Sequence, residues 1–178
     1  MKLLSFRGYE ARDFEPMFAL DELCFTPEFR FSRGSMRRFA EAKRARVRVA
    51  VAADEIVGFV IVHVEKASVG TIGYVVTLDV APEWRRRGVA SELMVQVERE
   101  VAAEGCAAMV LHVFSGNLEA MRFYERLGFV RGHTMEAFYG EALDAVLFRK
   151  SLNKLQLPRG VFLFCASRDR GAGCRGGG

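Results

Sequence analysis

Apolar positions along the chain change period several times, and each change marks an element. Residues 2–8 read as a short strand. Phe14, Met17, Phe18, Leu20, Leu23 and Cys24 then recur near helical spacing, with Asp13 placed to cap the helix. Pro27 breaks the helical pattern inside a phenylalanine-rich loop, residues 25–31. Ser32 or Ser35 can start a second helix through Met36, Phe39 and Ala42. Val47, Val49 and Val51 alternate with Arg46, Arg48 and Ala50, the period of a half-buried strand. A turn at Asp54–Glu55 leads into a β-branched segment, residues 56–64, so a hairpin is expected. Residues 70–80 form a further strand. From Gly88 to Glu104 the helical period returns, with Leu93, Val97 and Val101 on one face, and Gly105 ends it. A strand at 108–113 follows, then a helix at 117–127 stopped by Gly128, then strands at 129–133 and 142–148.

The order β-α-α-β-β-β-α-β-α-β-β predicts an α/β fold: a mixed central sheet of about seven strands with helices on both faces. One domain over residues 2–152 accounts for it. Residues 153–178 change character, ending in a Gly- and Arg-rich run, and are expected to be a flexible tail. Within that tail Val161–Cys165 is apolar, and its place is open.

No apolar run approaches the roughly 20 residues that cross a bilayer. Lys2 and Arg7 interrupt the N-terminus too early for a signal peptide. A cytoplasmic protein with no membrane partner is expected. Cys24, Cys106, Cys165 and Cys174 show no CxxC spacing and no nearby histidine, so free thiols are expected and no metal site. The net charge of +4 suits an anionic ligand as well as nucleic acid.

The stretch Leu78-Asp79-Val80-Ala81-Pro82-Glu83-Trp84-Arg85-Arg86-Arg87-Gly88-Val89-Ala90 is the most informative. A strand ends, a basic loop follows, and a helix starts at a glycine. Unpaired N–H groups and the helix dipole favour an anion there, and Gly88 and Ala90 let it approach the backbone. Neither GxxxxGK[ST] nor GxGxxG is present. A triple arginine alone would read as a solvated surface cluster; together with strand, small-residue turn and amphipathic helix it reads as a pyrophosphate cradle.

Arg85-x-x-Gly88-x-Ala90 resembles the acyl-CoA signature of the GNAT family of N-acetyltransferases. Residues 111–129, with Asn117, Ala120, Tyr124 and Gly128-Phe129, are similar to the family's second CoA-contacting element. The resemblance covers roughly residues 2–152. It implies acetyl-CoA as cosubstrate. The backbone of Leu78, Asp79 and Val80 would bond the pantetheine arm. The amides of Arg85, Arg86, Arg87, Gly88, Val89 and Ala90 would hold the pyrophosphate. Asn117 would contact the cosubstrate, and Tyr124 would lie near the thioester sulfur.

Attack of an amine on a thioester needs a neutral amine, a donor to the carbonyl oxygen and a proton for the thiolate. Tyr124 is the candidate acid. Of three histidines, His112 lies on the strand beside the cleft, while His63 and His133 read as bystanders. The resemblance to eukaryotic N-terminal acetyltransferases implies that Tyr74 and His112 deprotonate the amine through a shared water. Within the family the chain looks closest to enzymes acting on N-terminal α-amines, including the ribosomal-protein alanine type. Residues 137–147 resemble their Tyr-Tyr-x(n)-Asp-Ala pattern, with Phe138 replacing the first Tyr and Tyr139 the second. The loop holding Phe25 and Pro27 matches their pocket for the substrate's first side chain, although Thr26 intervenes. An α-amine has a pKa of about 7.7–8.0 against roughly 10.4 for lysine, so neutralising lysine costs roughly 3 kcal/mol more.

The expected acceptor is thus a protein or peptide N-terminus. Small amines or lysine side chains are the alternative. A CoA-binding module without catalysis is a third reading. Arg37-Arg38, Arg44, Arg46, Arg48 and the tail raise a fourth, RNA or ribosome association.

Overall fold

The computed structural model describes residues 4–68 and 70–152. The start of the first expected strand, the tail 153–178 and its 161–165 stretch lie outside the described residues. Strands β1 (Leu4–Gly8), β2 (Ala45–Ala52), β3 (Glu55–Ala67), β4 (Gly70–Val80), β5 (Ala108–Phe114), β6 (Val130–Met135) and β7 (Ala145–Ser151) alternate with helices α1 (Phe14–Cys24), α2 (Arg33–Ala40), α3 (Val89–Ala103) and α4 (Leu118–Arg126), in the expected order.

The strands form one mixed sheet, β1-β2-β3-β4-β5-β7-β6. Only the β4–β5 pair is parallel. Strand β3 is apolar at successive positions because both its faces are covered. Val60 and Val62 pack with Leu93, Val97 and Val101 of α3. Phe59 and Ile61 pack with Phe14 and Met17 of α1 and Met36 of α2. Full burial of each such side chain stabilises the fold by ~1.5–3 kcal/mol.

One pairing positions the site. β4 and β5 are joined only at Ile72↔Ala108, Gly73↔Met109 and Tyr74↔Val110. The β3–β4 register shifts between Ile61 and Val62, a bulge that turns the outer half of β4. β4 stays with β3 as far as Val80, while β5 stays with β7 as far as Phe114. The two central strands therefore part after Tyr74 and leave a wedge-shaped cleft.

Several local expectations are corrected. Asp13 does not cap α1. Its carboxylate accepts from Arg7 at 2.6 and 2.8 Å and from the Glu10 amide at 2.7 Å, and Arg7 holds its pKa below the usual range. A guanidinium on the neighbouring strand outcompetes the helix amides, because a charged pair is the stronger hydrogen bond. Ser32, not Ser35, caps α2, accepting from the Ser35 amide at 3.2 Å. That helix stops at Ala40 rather than Ala42. The final strand runs 145–151 instead of 142–148, since Ala137, Gly140 and Ala142 take positive φ in the preceding turn. Four of the five arginines singled out for RNA among the described residues are paired with carboxylates, and Arg38 donates to Ser35 Oγ at 3.0 Å. Arg37 meets Glu41 at 3.3 Å, Arg44 meets Glu65 at 3.8 Å, Arg48 meets Glu100 at 2.8 Å, and Arg46 meets Glu104.

Candidate active site

The basic loop after β4 builds one end of the cleft. A 3-10 turn, Pro82–Trp84, lifts the chain off the sheet. Gly88, at φ 82°, serves as N-cap of α3, and Arg86 also takes a positive φ of 59°. A Cβ at Gly88 would meet no heavy atom within 4 Å, and the first-turn amides of α3 have no carbonyl partner within the helix. The three arginines do three different things. Arg85 donates from Nε to the Val80 carbonyl at 3.1 Å. Arg87 lies over the Trp84 ring at 5.3 Å. Arg86 lines the cavity that opens at this helix end.

That cavity holds about 510 Å³. One bank is Leu78, Asp79, Val80, Arg85, Arg86, Gly88, Val89 and Ala90. The other is Asn117, Glu119, Ala120, Phe123, Tyr124 and Arg126. Arg87, expected among the binding residues, is not in the lining because its guanidinium stacks on Trp84. Asn117 caps α4, its side chain accepting from the Ala120 amide at 3.0 Å. Cys24 also lines the cavity; its Sγ donates to the Val80 carbonyl at 3.4 Å, and burial pushes the thiol pKa up.

A second cavity of about 160 Å³ opens between β4 and β5. Phe25, Leu78, Asn117, Ala120 and Tyr124 line both cavities, so the two meet there. His112, Phe114, Phe29 and Tyr139 complete its wall. No Asp or Glu lines it among the described residues. Phe29 packs on Phe114 at 5.0 Å and on Tyr139 at 5.3 Å between ring centroids. Tyr139 donates its hydroxyl to the His112 carbonyl at 3.1 Å. Pro27 is exposed and outside both linings; the neighbouring Phe29 takes the place expected for it.

Tyr74 and His112 are hydrogen-bonded directly, Oη to Nδ1 at 3.0 Å. Tyr74 is 3 % exposed and lines neither cavity, so it stands behind the imidazole. Phe138 stacks on the imidazole face at 4.3 Å, and Nε2 lies 3.1 Å from the Met135 sulfur. The Tyr74 hydroxyl can donate to Nδ1 or accept from it, so it holds the ring in either tautomer. His63 is buried beneath Phe39, with Nε2 2.9 Å from that residue's carbonyl. Burial lowers its pKa. His133 lies on exposed β6.

Sequence reasoning missed Phe114, Met135, Cys24 and Arg126 as lining or contact residues of the site. For Arg126 a signal was present: Ala120, Phe123 and Arg126 recur every three positions, so one helix face carries all three. Phe114 and Met135 carried none, because their contacts are made by residues distant in sequence. Among the described residues no helix is long and apolar enough to cross a membrane, and no group of three His, Cys, Asp or Glu could hold a metal ion.

Residues 14–129 match the family model described as Acetyltransferase (GNAT) family. N-alpha-acetyltransferase MAK3 of Arabidopsis thaliana is 31% identical over 87 residues, 49% of this chain and 46% of that protein. N-alpha-acetyltransferase 60 of Xenopus tropicalis is 32% identical over 88 residues, 46% of this chain and 36% of that protein. The chain thus spans less than half the length of these curated relatives. The crystal structure of Arabidopsis thaliana NAA60 in complex with acetyl-CoA shares the fold, with a TM-score of 0.77, 23% identity and coverage of 84% of this chain and 98% of that one. So does the ribosomal-protein-S18-alanine N-acetyltransferase from Escherichia coli, with a TM-score of 0.76, 18% identity and coverage of 86% and 97%. The family match runs from the first helix to Phe129 and takes in both banks of the larger cavity: this chain belongs to the acetyltransferase (GNAT) family.

Proposed function

We propose that the protein transfers an acetyl group from acetyl-CoA to the N-terminal α-amine of a protein or peptide, by direct attack with both substrates bound. The observation that carries this reading is the junction of the two cavities at Leu78 and Tyr124, with His112 in the wall of the smaller one. The similarity to N-alpha-acetyltransferases supports the α-amine.

The larger cavity suits the cosubstrate on its own geometry. Open space over Gly88 and the first-turn amides of α3 would take the pyrophosphate, with Arg86 beside it. Leu78, Asp79 and Val80 would offer strand backbone to the pantetheine arm. When bound, acetyl-CoA supplies an activated carbonyl and a thiol leaving group. Tyr124 would donate its phenolic proton to the departing sulfur. His112 would accept the proton of the attacking amine, and Tyr74 would hold the imidazole in place. Phe25, Phe29, Tyr139 and Phe138 would surround the acceptor's first residue.

The aromatic wall free of carboxylates disfavours polyamines, which need anionic contacts for each extra charge. Ribosome association gains no support from Arg37, Arg44, Arg46 and Arg48, whose charges are paired. The free thiols of Cys24 and Cys106 support a reducing, cytoplasmic site of action.

The test is thiol release from acetyl-CoA with a panel of peptides varied at the first residue. Peptides with a free N-terminus are expected to react. The same peptides blocked at the N-terminus but carrying lysine are expected not to. Turnover confined to blocked lysine peptides or to small amines would overturn the α-amine assignment.

The acceptor wall yields a further expected result. A Cβ at Gly116 would lie 2.6 Å from the Phe114 ring, so Gly116→Ala must push that ring off Phe29. Loss of one aromatic contact is worth about 1 kcal/mol, or roughly fivefold. Peptide KM should rise by about that factor while the acetyl-CoA Kd, measured by calorimetry, stays constant. An unchanged peptide KM would detach Phe114 from acceptor binding.

A further inference from the structure

We propose that Met135 shields the base until an acceptor displaces it. Its sulfur accepts from Nε2 of His112, fixes the ring as the Nε2–H tautomer, and must leave before the ring can take a proton. This rests on the reading of His112 as base above. A neutral imidazole carries one ring proton, so one nitrogen donates and the other accepts. A tyrosine hydroxyl suits either role, and Tyr74 alone leaves the choice open. A thioether decides it. The sulfur of methionine has lone pairs and no hydrogen to give, so an Nε2 lying 3.1 Å from the Met135 Sδ has to be the nitrogen that bears the proton. Nδ1 is then the acceptor, and Tyr74 donates to it at 3.0 Å.

In that state neither nitrogen can receive the amine's proton. The Nδ1 lone pair is taken by Tyr74, which is buried and lines neither cavity, so no acceptor reaches it from that side. Nε2 faces Met135, and that contact can open. Met135 is the last residue of β6, beyond a register shift between Arg131 and Thr134, and it is half-buried rather than enclosed. Its side chain is unbranched, with three rotatable bonds. The turn after it is tied separately: the Ala137 amide donates to the Asp144 carboxylate at 2.9 Å, so Met135 can swing out without unseating the turn. Phe138 keeps the ring in place by stacking on its face. Once the sulfur leaves, exchange with solvent moves the ring's one proton from Nε2 to Nδ1, and the Tyr74 hydroxyl turns from donor to acceptor. The Nε2 lone pair then takes a proton from the acceptor's ammonium group, leaving a neutral amine and an imidazolium. Met135 is thus a positioning residue, one that holds the base in its unreactive tautomer while the acceptor cavity is empty.

Nitrogen-15 NMR of the full chain reads the tautomer without turnover, with His112→Gln identifying the signal. Wild type is expected in the Nε2–H form, with that proton protected from exchange with water. Met135→Leu keeps the apolar volume and removes the acceptor. The same proton should then exchange about fivefold faster or more, the net worth of one hydrogen bond. Saturating wild type with a free-N-terminus peptide from the panel above should release it likewise. Met135→Leu should also raise peptide kcat/KM by about the same factor, since no contact to sulfur has to be broken, while the acetyl-CoA Kd in calorimetry stays constant. An Nδ1–H ring in wild type, unchanged exchange in Met135→Leu, or a kcat/KM that does not rise would overturn the shielding role and leave His112 as base. Failure of the base reading looks different: His112→Gln would keep wild-type turnover whichever tautomer is found.

Discussion

Gly88→Glu should fold normally and show acetyl-CoA affinity reduced about a hundredfold or more in calorimetry. A Cβ at this position meets no heavy atom within 4 Å, so the substitution starts from an unobstructed position. The left-handed backbone, φ 82°, costs a non-glycine residue roughly 1–2 kcal/mol, which a domain with two filled cores tolerates. The charge is what matters. A carboxylate at the N-cap competes for the same first-turn amides and repels phosphate. At about 5 Å and an effective dielectric near 20 the repulsion is about 3 kcal/mol, or two orders of magnitude in Kd. Gly88→Asn is the control: asparagine tolerates the left-handed region and brings no charge. It should lose less than about tenfold. Unchanged affinity in the glutamate variant would remove the cradle from the cosubstrate site. Equal losses in both variants would trace the effect to backbone strain.

The second large effect concerns His112. His112→Ala is expected to lower kcat by about 10²–10⁴ on a single peptide, the usual range for losing a general base. Acetyl-CoA affinity should not move, because His112 lines only the smaller cavity. Removing the imidazole also strips Phe138 of its stacking partner. His112→Gln is therefore the companion variant: it can still hydrogen-bond Tyr74 but cannot take a proton. Both variants should fall alike. Tyr74→Phe should cost less, and the double variant less than the product of the two single losses, since Tyr74 acts by holding His112. Recovery of wild-type kcat in the glutamine variant would make His112 a positioning residue. Wild-type activity in the alanine variant would leave deprotonation to another group.

Most of this architecture was legible because each element announces its period locally. The alternation of Val47, Val49 and Val51 marks a strand, although its other face, with Ala50 and Ala52, proves buried against the α3 core as well, and Leu93, Val97 and Val101 mark a helix with an apolar stripe. Gly88 was legible too, since an interrupted strand followed by a basic turn and a helix has few physical uses. The three consecutive arginines were not distinguishable, because what separates them is the tertiary position of Trp84 and the Val80 carbonyl. Asp13 looked like a helix cap until Arg7 was folded beside it. The Tyr74–His112 contact spans 38 positions in sequence, and only the pairing of β4 with β5 brings the two rings together. Phe114 was hidden for the same reason: its partner Phe29 comes from a loop at the other end of the chain's folding order.

The short union of β4 and β5 has a mechanical meaning. Three residue pairs join a four-stranded leaf, β1 to β4, to a three-stranded leaf, β5, β7 and β6. Helix α3 packs mainly on the first leaf, and the Lys150–Glu98 ion pair, 2.6 Å, ties it to the second. The fold is thus a book with a narrow spine, and a cosubstrate bound as proposed, to the free edge of β4 and against α4, would be a stitch across the open pages. Amides of residues 78–80 and 111–113, far apart in sequence, should become protected from exchange as one cooperative unit when that stitch is in place.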